Sequence, residues 1–372
     1  MVVTPPAWAQ HAAPRAMCLH GSWPPDGRSE VRRGVSGVVA LVLALATWPM
    51  LAARAMGGRP PSPGPKLAAL APIAALLGVV AVAVAATWHW WLAVLLALPA
   101  AILVAWQLPP RRPASHRGAG PGATGHRAAP DSGPGVLTLR VLNLNVLVGL
   151  ADPAGLLGEL QRHRVDVLAV QELTPEMVGQ LADAGLAGVL PFSHLDPHPG
   201  FPGMGLWARW PLIPLPPIAG MKAPAPRARI EPSAGQPVTV SSVHPVAPTN
   251  GNDDRWQRDL GLVRSVLDGA GEPQVVAGDF NATRDHRPFR DLLAAGFLDC
   301  ADAALSRAWP GFTWPANRMY PPVMRLDHVL VSAPGRTAGW AGWVTVLEAR
   351  VIRVPGTDHC GVLAVIEFQP VA

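Results

Sequence analysis

Two long stretches without any charged residue lie near the N-terminus and limit what this chain can fold into. Residues 34–53 contain no charged side chain, and residues 67–110 contain none either, with His89 as their only titratable group. A bilayer core of about 30 Å needs about 20 helical residues, so the first stretch is long enough for one span and the second for two. We therefore predict a membrane domain over residues 34–108, with three transmembrane helices at about residues 34–53, 67–87 and 90–108.

A tryptophan cluster marks the predicted turn between the second and third spans. It reads Thr87-Trp88-His89-Trp90-Trp91, and indole side chains favour the headgroup level of a bilayer. Buried core helices and a signal peptide are the alternatives to membrane spans. Three predicted spans are too many for a signal peptide, and no evident cleavage site follows the first. With 49% apolar and 15% charged residues, the chain is also too apolar for a single soluble domain.

Segments rich in Pro, Gly and Arg flank the apolar stretches. Residues 1–33 show no sustained apolar periodicity and are predicted to be a disordered tail, and residues 109–135 are predicted to be a linker. Residues 136–372 then form the folded domain, with 19 Lys and Arg against 22 Asp and Glu. The sequence pI of about 9.8 therefore comes from the membrane flanks. The acidic domain lacks the basic stripe expected of a nucleic-acid groove.

Helix-like and strand-like patterns alternate within the folded domain. Apolar spacing predicts helices at residues 153–163, 175–184, 253–267 and 288–295. Apolar and β-branched runs predict strands at residues 136–147, 165–170, 238–243, 274–277, 326–332, 342–354 and 362–368. The pattern favours two packed sheets with helices outside, and periodicity alone leaves a doubly wound sheet open.

Six short polar clusters occur where the predicted strands end or begin. A sheet edge can aim a side chain into a cleft, so these positions can converge on one site. Each cluster alone also fits a turn or a helix cap. The clusters are Leu144-Asn145-Val146, Gln171-Glu172-Leu173, Val243-His244-Pro245, Gly278-Asp279-Phe280-Asn281, Leu326-Asp327-His328 and Thr357-Asp358-His359.

Taken in order, the six clusters resemble the endonuclease/exonuclease/phosphatase superfamily, which has the DNase I-like fold. The Gly278-Asp279-Phe280-Asn281 and Thr357-Asp358-His359 motifs are the most specific, together with Gln171-Glu172. The resemblance covers about residues 136–368. It implies a four-layer α/β sandwich, here preceded by the three transmembrane helices, and a membrane-anchored bacterial branch of the superfamily.

The resemblance also implies roles for individual residues. Glu172 is the principal ligand of Mg²⁺, with Mn²⁺ as an alternative. Asn145 is the amide partner, and Asp358 is a ligand directly or through water. Asp279 is the base that activates water, and Asn281 contacts the phosphate or orients the nucleophile. The remaining assignments are His359 as a donor to a non-bridging oxygen and His244 as a second donor, to the phosphoryl group or the leaving oxygen. Asp327 is the partner of His359, and His328 is a structural residue.

One motif departs from the family pattern. The family has a Ser-Arg pair before a proline, whereas this chain reads Trp207-Ala208-Arg209-Trp210-Pro211, so only Arg209 is kept. No aromatic and basic insertion suited to a DNA groove is present, which disfavours a dedicated DNA-repair role. Cys300 and Cys360 either form a disulfide or remain two separate buried thiols.

The charge patterns give conflicting indications of the side of the membrane on which the catalytic domain lies. With the tail inside, four Arg lie inside against seven Lys and Arg outside, a count that favours a cytoplasmic domain. However, Arg28, Arg32 and Arg33 crowd the N-terminal side of the first helix, which usually dominates. Membrane-tethered bacterial relatives also imply an outside domain, so we expect a multi-pass protein of the cell membrane with an extracytoplasmic catalytic domain.

These features predict an Mg²⁺-dependent phosphatase or phosphodiesterase. Its expected substrate is a phosphate ester or pyrophosphate that is lipid-linked or located at the membrane surface. The alternatives are a tethered nonspecific extracellular nuclease and a non-catalytic envelope binding module. No motif in residues 191–226 or 303–324 identifies the substrate, and no protein partner follows from the sequence.

Overall fold

An N-terminal group of helices precedes an α/β domain in the computed structural model. The structure describes residues 27–57, 63–87, 89–107, 135–232, 236–249, 251–268, 270–304, 311–337, 340 and 342–369. Residues 1–26 of the predicted tail and residues 109–134 of the predicted linker lie outside this set. The last residues of the predicted tail, 27–33, are helical.

Three antiparallel helices dominate the N-terminal group. The helices are α1 (Gly27–Ala55), the short α2 (Gly64–Ala69), α3 (Ala71–Ala86) and α4 (Trp90–Gln107). Small side chains at their contacts, such as Ala40, Ala85 and Ala74, let the helices approach closely. The His89 ring, at the start of α4, lies 2.9 Å from the Arg33 carbonyl oxygen near the start of α1.

Two of these helices meet the length and hydropathy expected of a membrane span. They are the Glu30–Ala55 part of α1 and the whole of α4, although buried core helices and signal sequences satisfy the same criterion. The prediction of three spans is not confirmed, because the second predicted span is divided at Leu70. Pro72 in the first turn of α3 lacks a backbone N–H and cannot continue a preceding helix, so α2 ends and a separate 16-residue helix begins.

The remaining residues form the predicted α/β sandwich, which is confirmed. One six-stranded sheet has the order β11-β12-β1-β2-β4-β3, and the other has the order β5-β6-β7-β8-β10-β9. Both are mixed, with β1 parallel to β2 and β7 parallel to β8. The strands of the first sheet are β1 (Leu137–Asn145), β2 (Val167–Gln171), β3 (Phe192–Asp196), β4 (Met204–Ala208), β11 (Trp343–Arg353) and β12 (Cys360–Gln369). Those of the second are β5 (Ile213–Leu215), β6 (Arg227–Ile230), β7 (Val238–Val243), β8 (Gln274–Asp279), β9 (Phe297–Asp299) and β10 (Asp327–Ser332).

Three apolar cores separate the layers of the sandwich. The central core lies between the sheets and includes Val141 and Val275, whereas the two outer cores lie between each sheet and its helices. The first sheet is covered by α5 (Pro153–Arg162) and α6 (Pro175–Asp183). The second is covered by α7 (Asp253–Val263) and α8 (Arg287–Ala295), and a short α9 (Cys300–Ala304) follows β9. Cys300 and Cys360 are buried free thiols, so no disulfide joins them.

The strand directions bring the polar clusters to one edge of the sandwich. Strands β1, β2, β7 and β8 end at this edge. Strands β10 and β12 begin there, because β10 runs antiparallel to β8 and β12 runs antiparallel to β1. The β8–β10 register places Asp279 directly opposite Asp327. The sheets therefore converge the six sequence clusters that lie far apart along the chain.

A buried cluster of charged and polar side chains stabilises the segments at this edge. The Asp299 carboxylate contacts Arg325 at 3.2 Å and the His328 Nδ1 atom at 2.9 Å, and all three side chains are buried. The His328 Nε2 atom lies 2.9 Å from the Ala282 carbonyl oxygen, and its ring lies 4.2 Å from that of Phe289. His328 therefore holds the chain segment after β8 against the core, which agrees with the predicted structural role.

Replacement of Asp299 with asparagine is expected to destabilise the domain strongly. The change leaves the buried Arg325 guanidinium without one of its carboxylate partners, and breaking a buried ion pair typically costs about 3–5 kcal/mol. Chemical unfolding followed by tryptophan fluorescence measures the loss. The exposed Asp254, on the outer helix α7, is the matched control, and Asp254→Asn should change stability by less than about 0.5 kcal/mol. Equal effects of the two variants would contradict the structural role of Asp299.

Candidate active site

Two carboxylates and an amide meet at the end of the first sheet. Glu172 follows β2 with a left-handed backbone, φ 60°, which turns its side chain back toward the sheet edge. The Asn145 amide donates from Nδ2 to Glu172 Oε1 and to Asp279 Oδ2, each at 3.1 Å. The Val148 N–H donates to the second Glu172 oxygen at 2.9 Å. Asn145 thus links a residue of the first sheet to the end of β8 in the second.

Two imidazoles approach the same oxygen of Asp279. The Nε2 atoms of His244 and His359 lie 3.5 Å and 3.7 Å from Asp279 Oδ2. The other oxygen, Oδ1, accepts the Asn281 backbone N–H at 2.9 Å. Despite its burial, which raises a carboxyl pKa, the charge of His359 and the hydrogen bond and charge of His244 hold the pKa of Asp279 well below its usual range. Asp279 is therefore ionised at neutral pH.

A second carboxylate fixes the orientation of His359. The Asp327 Oδ2 atom lies 2.8 Å from His359 Nδ1, which leaves Nε2 directed toward Asp279. Burial alone would lower the pKa of His359, but the carboxylates of Asp327 and Asp279 outweigh it and raise the pKa to about 10. Burial raises the pKa of Asp327. The favoured arrangement is an imidazolium whose Nε2–H points into the site.

His244 is the second cationic donor at this edge. Burial opposes its charged form, but the hydrogen bond and charge of Asp279 outweigh that cost and raise the pKa of His244. Its Nδ1 atom is buried and has no hydrogen-bond partner among the described residues. Asn281, which adopts a left-handed backbone with φ 47°, donates from Nδ2 to the carbonyl oxygen of Pro245, the residue after His244. The segments after β7 and β8 are thereby joined.

Asp358 occupies a position beside the two histidines. Its Oδ2 atom accepts the indole N–H of Trp314 at 3.0 Å, and its Oδ1 atom lies 3.9 Å from His359 Nε2. Oδ1 is buried and has no hydrogen bond among the residues that the structure describes. A buried carboxylate oxygen without a donor is costly unless a cation or water satisfies it. This property fits a ligand of a divalent cation.

The described residues offer two candidate places for such a cation. Oxygen atoms of Glu172 and Asp358 are of the type that Mg²⁺ prefers. A ligand-atom cluster also joins Asp279, Asp327 and His359, whose candidate atoms lie within 4.8 Å of one another. Because Asp327 and His359 already bind each other and imidazole is a poor ligand for hard cations, we favour the carboxylates of Glu172 and Asp358. The Asn145 amide oxygen accepts the Leu147 N–H at 2.9 Å, so the role of Asn145 as a ligand stays a prediction.

Several supporting residues were not singled out as site residues from the sequence. The buried Gln171 amide donates to Asn143 Oδ1 at 2.9 Å and to Ser242 Oγ at 3.0 Å, and Asn143 donates in turn to Asp327 Oδ1 at 3.4 Å. This chain of polar groups crosses the central core beneath the site. Polar residues inside otherwise apolar strands were the available signal for Asn143 and Ser242. Trp314 lies in a loop without a recognisable motif and gave no signal.

Arg209 is not part of the candidate active site. Its guanidinium binds Asp166 at 3.0 Å, at the beginning of β2 and therefore at the opposite edge of the sheet from Glu172. The one residue kept from the family's Ser-Arg pair is thus part of a distant ion pair. All eight predicted site residues, by contrast, lie at the same edge: Asn145, Glu172, His244, Asp279, Asn281, Asp327, Asp358 and His359.

Comparison with known protein families matches residues 142–359 to the Endonuclease/Exonuclease/phosphatase family. The match covers more than half of the chain and includes every residue of the site. The chain belongs to this family. Members of the endonuclease/exonuclease/phosphatase family are phosphoester hydrolases that generally depend on a divalent metal. A search of curated proteins finds no match.

Several solved structures are similar to this chain at low sequence identity. A humanized D. rerio TDP2 is 19% identical, with a TM-score of 0.49, over 62% of this chain and 98% of that chain. An endonuclease/exonuclease/phosphatase from Beutenbergia cavernae is 18% identical, with a TM-score of 0.47, over 63% and 72%. The human Nocturnin catalytic domain is 18% identical, with a TM-score of 0.44, over 62% and 95%. No substrate follows from likenesses at this level.

Proposed function

We propose that the chain is a membrane-anchored, divalent-metal-dependent phosphatase or phosphodiesterase. The observation that carries this proposal is the approach of two imidazole Nε2 atoms, on His244 and His359, to one ionised carboxylate, Asp279. Two cationic donors at a site edge lined by carboxylates suit a phosphoryl group, whose charge would otherwise repel an attacking hydroxide. The proposed substrate is a phosphate ester or pyrophosphate that is lipid-linked or held at the membrane surface.

The residues of the site have separate roles in the proposed reaction. Asp279 accepts the proton of the attacking water, and Asn281 orients that water or the phosphate. His359 donates to a non-bridging phosphoryl oxygen, His244 donates to the phosphoryl group or to the leaving oxygen, and Asp327 holds the His359 ring through Nδ1. Glu172 and Asp358, with Asn145 as a further candidate, would hold Mg²⁺ or Mn²⁺, which supplies charge stabilisation to the phosphoryl group when bound.

The low pKa of Asp279 has a consequence for its role as a base. A carboxylate with a pKa far below neutrality is a weak base. Asp279 is in this state as long as the two imidazoles lie beside it. When a phosphoryl group enters, the Nε2–H groups of His359 and His244 donate hydrogen bonds to its oxygens and no longer face Asp279. The pKa of Asp279 then rises, and the site gains its base only with substrate bound.

Membrane attachment is the second part of the proposal. It is supported by the length and hydropathy of α1 and α4, with α3 packed beside them. The N-terminal end of α1 carries Arg28, Arg32 and Arg33. We propose that this end lies in the cytoplasm and that the catalytic domain lies outside it.

A substrate panel tests the proposed function. The full chain in detergent micelles should hydrolyse a lipid pyrophosphate, sphingomyelin or an aryl phosphodiester faster than duplex DNA, because the acidic domain gains little from phosphate neutralisation. A preference for DNA would instead support a tethered nuclease. No turnover of any ester, with the site residues intact and metal present, would support a non-catalytic binding module.

A further inference from the structure

Three consecutive residues of the α/β domain bind the ends of the N-terminal helices. The Asp285 carboxylate lies 2.5 Å from Arg54 in the last turn of α1 and accepts the Gln107 amide, the last residue of α4, at 3.5 Å. The Arg287 N–H donates to the Gly57 carbonyl oxygen at 2.7 Å. The side chains of Asp285 and Arg54 are only 5% and 12% exposed, so this ion pair is largely shielded from water.

His286 adds a hydrogen bond in which its ring is the donor. Its Nδ1 atom accepts the Thr283 N–H at 2.8 Å, so the ring proton resides on Nε2, which lies 2.7 Å from the Pro65 carbonyl oxygen. Burial lowers the pKa of His286 to about 4, which keeps the imidazole neutral at physiological pH. The segment 285–287 thus binds the end of α1, the start of α2 and the end of α4.

This contact lies at the edge of the sandwich that carries the candidate site. The segment 285–287 begins six residues after Asp279 and four after Asn281, and it leads directly into α8. Because α1 and α4 both end there, the boundary of the helical group lies at the same edge of the sandwich as the site. Arg54 and Gln107, polar residues at the ends of apolar helices, mark the level at which a bilayer would end.

Exposed apolar side chains lie on three loops that contact the site. We call Val148, Leu150, Phe201, Met319 and Tyr320 the apolar rim. All five side chains are exposed, and the exposed fractions of Leu150 and Tyr320 reach 65% and 55%.

Each of these loops touches a residue of the site. The Val148 N–H binds Glu172, and the Phe201 ring lies 6.2 Å from the His244 ring. The loop with Met319 and Tyr320 begins with Trp314, whose indole binds Asp358. Apolar side chains that protrude around a site mouth usually mark a surface that is covered by a partner or a lipid interface.

We propose that the apolar rim contacts the lipid surface and that the substrate is an amphiphilic phosphate ester, which enters the site from the bilayer with its headgroup at the interface. This proposal rests on the proposed membrane attachment through α1 and α4. A lipid surface is the occupant that the fold favours, because helices of membrane-spanning length end at the same edge as the rim. The exposed Arg318 beside Met319 adds a cation suited to anionic headgroups.

Collision measurements on nitroxide labels test the position of the rim. The full chain in phospholipid nanodiscs carries a label at Leu150→Cys or Met319→Cys, with Cys18→Ser to leave only the buried Cys300 and Cys360. Both labels should collide more often with oxygen, which partitions into lipid, than with a water-soluble nickel complex. Gln161→Cys, at the exposed end of α5 on the opposite edge, should show the reverse. Equal nickel accessibility at all three positions would overturn the proposal.

Hydrolysis of two forms of one ester separates this proposal from the proposed function. Leu150→Asp should lower turnover of a long-chain phosphodiester in nanodiscs by about tenfold, the loss expected when one apolar anchor leaves the interface. Turnover of a short-chain soluble analogue should change by less than about twofold. Leu347→Asp, which replaces an exposed leucine of β11, should affect neither form. Equal losses on both forms would overturn the rim proposal, whereas a wild-type chain that cleaves neither ester would contradict the proposed function instead.

Discussion

Replacement of Asp279 with asparagine is expected to lower kcat by about 10²–10⁴-fold, the usual contribution of a general base. Asparagine keeps the size of the side chain and can still accept the Asn281 N–H. It cannot accept a proton, and its amide would oppose the Nδ2 group of Asn145, which donates to Asp279 at 3.1 Å. Steady-state kinetics on one phosphodiester at saturating Mg²⁺ measures the loss. Because substrate binding relies on the histidines and the metal, KM should change much less than kcat.

The matched control for this variant is another buried aspartate at the far edge of the sheet. Asp166 accepts the Arg140 N–H at 2.9 Å and pairs with Arg209, so Asp166→Asn also replaces a buried, hydrogen-bonded carboxylate. It should affect stability without a specific loss of kcat. A near-wild-type kcat for Asp279→Asn would show that the base lies elsewhere.

The partners of Asp279 should respond in a graded way. His359→Ala removes an electrostatic donor and should cost about 10²–10³-fold, and the Asp279/His359 double variant should lose less than the product of the two single losses. Asp327→Asn keeps the imidazole but weakens the 2.8 Å contact that orients it, so its loss should be smaller than that of His359→Ala. Multiplicative losses would mean that Asp279 and His359 act independently.

The parts of this fold that follow from local pattern were predictable from the sequence. Strands β1, β2, β7, β8, β10, β11 and β12 are apolar or alternating runs, and the polar residues that end them stand out against that background. A motif such as Gly278-Asp279-Phe280-Asn281 also carries family information that no periodicity contains. The ends of the predicted strands allowed Asn145, Glu172 and Asp279 to converge, and the resemblance turned that possibility into a specific prediction.

Contacts between distant segments were not predictable from local pattern. Nothing in the sequence near Trp314 indicates that its indole binds Asp358, and nothing near Arg54 indicates a partner at Asp285. The short exposed strand β3 has only intermediate or exposed residues, so it gives no apolar signal. Leu70, where the second predicted span divides, lies in a continuous apolar run, and hydropathy alone does not register the effect of Pro72 on the helix.

Removal of divalent metal is expected to abolish turnover, and Mg²⁺ or Mn²⁺ should restore it. The protein offers few charges to hold the ion, because Mg²⁺ keeps several water ligands and needs only one or two carboxylates. Glu172→Gln should therefore raise the Mg²⁺ concentration at half-maximal activity, since the amide keeps the hydrogen bond from Val148 but loses the charge. Activity is measured against Mg²⁺ concentration after dialysis with a chelator. Glu159→Gln, on the outer helix α5, is the control and should leave the half-saturating concentration unchanged.

The same Mg²⁺ titration distinguishes the two candidate cation sites. If the carboxylates of Glu172 and Asp358 hold the ion, Asp358→Asn should shift the half-saturating Mg²⁺ concentration in the same direction as Glu172→Gln. Asp327→Asn should then lower kcat without that shift, because Asp327 acts on the His359 ring rather than on the metal. A shift for Asp327→Asn and none for Glu172→Gln would place the ion among Asp279, Asp327 and His359. That result would leave Asp279 and His359 as ligands, unable to serve as base and donor, and full activity in excess chelator would remove the metal from the mechanism altogether.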